Sequence, residues 1–77
     1  MSAPELVWSL LWKDGVLVDC ELRDRGEIGV EVWIHRTMRE RAFRYSRRCA
    51  GRAAALAEAE ELKAQYLQHG GTLVAAD

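Results

Sequence analysis

Two stretches of strict two-residue alternation constrain this chain more than any other feature. From Val16 to Arg23, Val16, Val18, Cys20 and Leu22 alternate with Leu17, Asp19, Glu21 and Arg23. From Ile28 to His35, Ile28, Val30, Val32 and Ile34 alternate with Gly29, Glu31, Trp33 and His35. A two-residue period places one set of side chains on each face of a strand, so both segments read as half-buried β-strands. Asp24-Arg25-Gly26-Glu27 between them is rich in turn formers and joins them as antiparallel neighbours.

The flanking segments extend this unit. Leu6 to Trp12 is an apolar run with aromatic and β-branched members, ended by Lys13-Asp14-Gly15, and Asp-Gly is a strong hairpin signal. After the polar stretch Thr37 to Glu40, Ala42 to Ser46 has the composition of a short fourth strand with Phe43 and Tyr45 on one face. Arg47 to His69 is dense in Ala, Leu, Glu and Lys and stops at Gly70-Gly71, which predicts a helix with Ser46 as its N-cap. Ala55, Leu56, Ala59, Leu62 and Tyr66 fall at three- and four-residue spacing and form its apolar stripe. The expected fold is one α+β domain over 1–77: a three- to four-stranded antiparallel β-meander (6–46), a long C-terminal α-helix packed on one face (47–69), and a tail (70–77).

A chain of 77 residues has room for one core and buries a modest share of its surface. No apolar run approaches the length needed to cross a bilayer, and Met1-Ser2-Ala3-Pro4-Glu5 lacks the basic start and hydrophobic stretch of a secretory signal, so a cytoplasmic location is expected. Cys20 and Cys49 are then expected to be free thiols. His35, His69, Cys20 and Cys49 fall on different elements and do not make a metal set. There is no nucleophile elbow, triad or phosphate-cradling glycine loop, and the expectation is a non-catalytic protein without cofactor.

Two surfaces are candidates for binding. With the regular apolar set facing the helix, the opposite sheet face carries Leu17, Asp19, Glu21, Glu31, Trp33 and His35. The first strand is apolar on both sides, with Trp8, Leu10 and Trp12 on one and Val7 and Leu11 on the other. One helix cannot cover both, so the expectation is a homodimer, or a complex with another protein, through the open face or an exposed edge, using Trp8, Trp12 or Trp33. A self-covered monomer, with the helix and Leu73-Val74 folded over the tryptophans, is the competing reading.

The second surface is a concentration of arginine. Seven arginines lie between Arg36 and Arg52 against one acid, Glu40, although the net charge is -1. Arg44, Arg47, Arg48 and Arg52 gather at the expected helix N-terminus, where cations oppose the macrodipole and local stability gives no reason for them. Together with unpaired helix N–H groups they would suit a phosphate, and Phe43 and Tyr45 could stack on bases, so a nucleic-acid-binding domain is the alternative function. The layout of a sheet followed by an alanine-rich helix is similar to small DNA-binding domains that lay a three-stranded sheet in the major groove, such as plant AP2-type and integrase arm-binding domains. That resemblance implies a DNA-facing sheet, whereas Asp19, Glu21 and Glu31 would repel phosphates from that face. The bland reading is a solvated network of arginines and acids.

Overall fold

The structure is a computed structural model that describes residues 3–76. Its five strands are β1 (Glu5–Leu11), β2 (Leu17–Asp24), β3 (Val30–Met38), β4 (Arg41–Cys49) and β5 (Thr72–Ala76), and the helix α1 (Arg52–Gln68) lies between the last two. They form one antiparallel sheet in the order β4-β3-β2-β1-β5. The expected α+β meander is therefore present, with the fourth strand in place and a fifth added.

The first two hairpins are closed by the residues that signalled them. Around Lys13–Gly15 the Trp12 N–H donates to the Val16 carbonyl at 2.8 Å, and Asp14 and Gly15 take positive φ (60° and 75°), a conformation that Asp tolerates and Gly adopts freely. Beyond β2, the Asp24 carboxylate accepts the Gly26 N–H at 2.8 Å, and the Arg25 N–H reaches the Gly29 carbonyl at 2.8 Å. Ile28 sits in this turn, 62% exposed, so the third strand begins at Val30 rather than at Ile28. Gly29 there has φ 122° and ψ -163°, a region essentially closed to other residues, and a Cβ would run into the Cys49 carbonyl.

Register assigns the faces. Cys20 pairs with Ile34 and Leu22 with Val32, while Tyr45 follows opposite Ile34 and Arg47 opposite Val32. Val18, Cys20, Leu22, Val30, Val32 and Ile34 are buried beneath α1, together with Trp8 and Leu10. The helix meets them with Ala55, Ala59 and Tyr66, and Leu56 and Leu62 flank these, which is the expected stripe. Its small members let the backbone approach closely: the buried Trp8 indole N–H donates to the Ala59 carbonyl at 2.9 Å.

β3 also runs on through Thr37 to Met38, within the polar stretch that reads as a loop, and two larger boundaries differ from expectation. The helix starts at Arg52, not Arg47, and Ser46 is a strand residue; the N-cap position is Gly51, which brings no side-chain cap. Residues 47–49 continue β4 because they remain in ladder register with Val30–Val32. The expected tail is largely a strand: β5 pairs with β1 from Leu11↔Thr72 to Trp8↔Ala76, and Asp77 lies outside the described residues. The reversal that makes this possible is a double-glycine helix stop. Gly70 has φ 95°, its N–H donates to Leu67, and the Gly71 N–H reaches back to Tyr66 at 2.9 Å. An apolar β1 thus has a strand on either side, supplied by its own chain.

Candidate functional site

The four arginines expected to converge are divided by the pleat and by the true helix start. Arg44 and Arg48 point to the open face, opposite His35 and Glu31 on β3. Arg47 is on the helix side, where it donates to Glu58 at 3.0 Å. Arg52 begins the helix and grips the Glu5 carboxylate with two hydrogen bonds of 2.7 and 2.8 Å. That grip lowers the Glu5 pKa, chiefly through the hydrogen bond from Arg52. Arg52 at the helix start is therefore paired with Glu5, and the four arginines do not share one face there.

The three tryptophans occupy three environments. Trp8 is fully enclosed in the core, at 0% exposure, and is covered by the helix rather than presented to a partner. Trp12 is half-buried at the far end of α1, edge-on to Tyr66 (5.1 Å, 88°), and donates to the His69 carbonyl at 3.2 Å. Trp33 alone lies on the open face, half-buried between Arg23, whose Cζ is 4.1 Å from the ring centre, and His35, stacked at 6.0 Å and 17°.

That open face is a connected polar layer. Glu21 Oε1 accepts Arg23 at 2.7 Å and lies 2.7 Å from His35 Nε2. Burial pushes the Glu21 carboxyl up, but the hydrogen bonds from Arg23 and His35 outweigh it, and its pKa is lowered. Glu31 accepts the Trp33 indole at 3.0 Å and Arg25 at 2.7 Å, and these donors lower its pKa as well. Ser9 donates to Asp19 at 2.6 Å. The acids and cations of this face largely satisfy one another.

The outer strand β4 is different. It is nine residues long, exposed from Arg41 through Ser46 to Arg48, and it has no neighbour on its far side among the described residues. Every second residue of such an edge directs its N–H and C=O outward. β4 carries Arg41, Arg44, Arg47 and Arg48 and no acid, and of these only Arg47 forms an ion pair among the described residues. Phe43 and Tyr45, 61% and 43% exposed, stand on its helix side.

Beside Tyr45 the sheet and the end of α1 form a cleft of roughly 180 Å³ lined by Trp12, Arg36, Tyr45, Leu62, Gln65, Tyr66 and His69. The Arg36 Cζ lies 5.3 Å from the Trp12 ring centre, 5.4 Å from Tyr66 and 5.8 Å from Tyr45, and its Nε–H donates to the Tyr66 hydroxyl at 2.7 Å. Burial, with the neighbouring Tyr45 hydroxyl, pushes the Tyr66 phenol up to about 12, so it stays protonated. Sequence reasoning missed this group, because its members come from β3, β4, α1 and the first hairpin and share no local spacing.

Of the thiols, Cys20 is buried and Cys49 half-buried. Burial, followed by the charges of Glu21 and Glu60, pushes the Cys20 pKa up to about 12. No cluster of three or more His, Cys, Asp or Glu groups is placed to hold a metal among the described residues, and no helix there is long and apolar enough to cross a membrane. Compared with protein-family models, curated proteins and solved structures, the chain matches none.

Proposed function

We propose that the protein is a non-catalytic binding module that uses β4 as a docking edge for an extended, acidic segment of another protein. The observation that carries this reading is the uncovered nine-residue edge with four arginines and no acid of its own. An added strand would gain main-chain hydrogen bonds from the edge and specificity from alternate side chains. Facing Arg44 and Arg48 on the open-face side, carboxylates are favoured, and apolar side chains on the other face of the peptide would meet Phe43 and Tyr45, which stand there between Arg41 and Arg47. Pairing two copies of β4 would bring two arginine edges together, so charge favours an acidic partner over a second copy at this edge.

The test is a titration of the labelled protein with a peptide of alternating Glu and Val, its Lys-Val counterpart and a mixed-sequence DNA duplex. The acidic peptide is expected to shift alternate β4 amides with salt-sensitive affinity, and Arg44→Glu with Arg48→Glu to weaken it at least tenfold. Equal binding of the lysine peptide, or none of the acidic one, refutes the edge. A duplex that binds where the peptide does not transfers the arginines to the nucleic-acid reading. Sedimentation of the protein alone decides self-association, which this reading places elsewhere than β4.

A further inference from the structure

We propose that the cleft around Arg36 is a binding site for a small, planar carboxylate, one in which an aromatic ring carries the carboxyl group. The proposal does not rest on the docking edge, although the two surfaces share Tyr45. The cleft contains a guanidinium held in place by aromatic rings and paired with no carboxylate of the chain among the described residues. Trp12, Tyr45 and Tyr66 surround the Arg36 Cζ at 5.3, 5.8 and 5.4 Å, and the Tyr66 hydroxyl fixes its Nε–H at 2.7 Å. Arginine has five N–H donors in a rigid fork. Among the described residues the donors of both terminal nitrogens have no protein acceptor, and Arg36 is in no ion pair.

The rest of the lining gives the ligand its chemistry. No acidic side chain lines the cleft. A second cation, Lys13, lies outside this lining, 4.6 Å from the Trp12 ring centre. Two parallel hydrogen bonds from the guanidinium fork match a carboxylate. The Trp12 and Tyr66 rings, locked edge to face at 5.1 Å and 88°, offer a rigid wall for a second ring. A space of about 180 Å³ is smaller than the several hundred of a drug-sized pocket and limits the ligand to one ring.

The experiment uses the full chain, ¹⁵N-labelled, and follows the three indole N–H signals at constant ionic strength. The probes are benzoate, benzyl alcohol, benzamidinium and inorganic phosphate. Benzoate is expected to shift the Trp12 indole saturably while Trp8 and Trp33 stay in place; benzyl alcohol binds at least tenfold more weakly and benzamidinium gives no shift. Gln65→Glu, on the exposed helix surface, sets a carboxylate beside Arg36 without touching the core. It should weaken benzoate at least tenfold. Arg36→Lys, which keeps the charge and loses the fork, should weaken it several-fold. Equal affinities for benzoate and benzyl alcohol, a non-saturating response, phosphate binding as tightly as benzoate, or a Gln65→Glu variant that binds benzoate unchanged would each overturn the proposal.

Discussion

Replacing Trp8 by Phe tests how the helix is held to the sheet. The indole is fully buried, donates to the Ala59 carbonyl at 2.9 Å and leans on Tyr66 at 6.1 Å and 60°. Phenylalanine keeps one ring and the strand geometry but loses the donor and part of the packed volume. The Ala59 carbonyl lies within α1 and keeps its place in the helical ladder, so it is not orphaned; the lost hydrogen bond then costs about 1 kcal/mol. Full truncation of a buried Trp to Ala costs about 3–5 kcal/mol, and losing part of the bicyclic ring adds about 1 kcal/mol to the first term. For 77 residues the unfolding entropy is roughly 160 cal/mol/K, so a total of about 2 kcal/mol lowers Tm by roughly 12 °C. Thermal unfolding followed by far-ultraviolet circular dichroism reads this directly. A fall of less than about 3 °C would refute the assignment of Trp8 as the anchor of α1.

Three further outcomes follow from the same geometry. Gly29→Ala forces a side chain into a glycine-only conformation against the Cys49 carbonyl and should cost about 1–3 kcal/mol in urea unfolding; an unchanged midpoint would contradict the turn geometry. The pKa values of Glu5, Glu21 and Glu31 are all lowered on folding, so their stabilisation is complete above the unfolded value near 4.5 and is lost as pH falls below it. Glu21→Gln should flatten the decline of stability below about pH 4.5, and a slope equal to that of the parent chain would remove Glu21 from the account. In the folded protein a thiol reagent should modify Cys49 first, with Cys20 reacting only on unfolding, because burial holds the Cys20 thiol protonated up to about 12. Mass spectrometry of the modified peptides distinguishes the two, and early labelling of Cys20 would contradict its burial.

The parts legible in sequence were those whose signal is local. β2 and β3 declare themselves by two-residue alternation, and Ala55, Ala59 and Tyr66 by helical spacing. The junction at 47–51 misleads because Arg47 and Arg48 suit a helix by composition, while their ladder with Val32 and Glu31 is a non-local preference that wins. Thr72–Ala76 is too short to be read alone; it becomes a strand because Gly70-Gly71 turns it onto β1. That return also alters the argument from an over-apolar β1. The apolar second side raised the expectation of a partner molecule; β5 takes the edge of β1, and on that second side Val7 is buried while Leu11 stays 47% exposed. The arginines were legible as a composition and not as a site, since strand geometry sends Arg44 and Arg48 to one face and Arg47 to the other. Arg36 and its three rings, drawn from four parts of the chain, left no spacing to read.

The placement of β5 beside β1 has a consequence for how the chain is made. During vectorial synthesis β1 emerges first and acquires β2 after a short hairpin, yet its other edge stays unpaired until residues 72–76 have left the ribosome. Until then a nascent chain displays a row of open main-chain groups along one of its most apolar segments, a site for chaperones and for pairing between neighbouring nascent chains. The final five residues of the sheet act as a late clasp, and ribosomes that stop short of Thr72 would release a product with that edge permanently open.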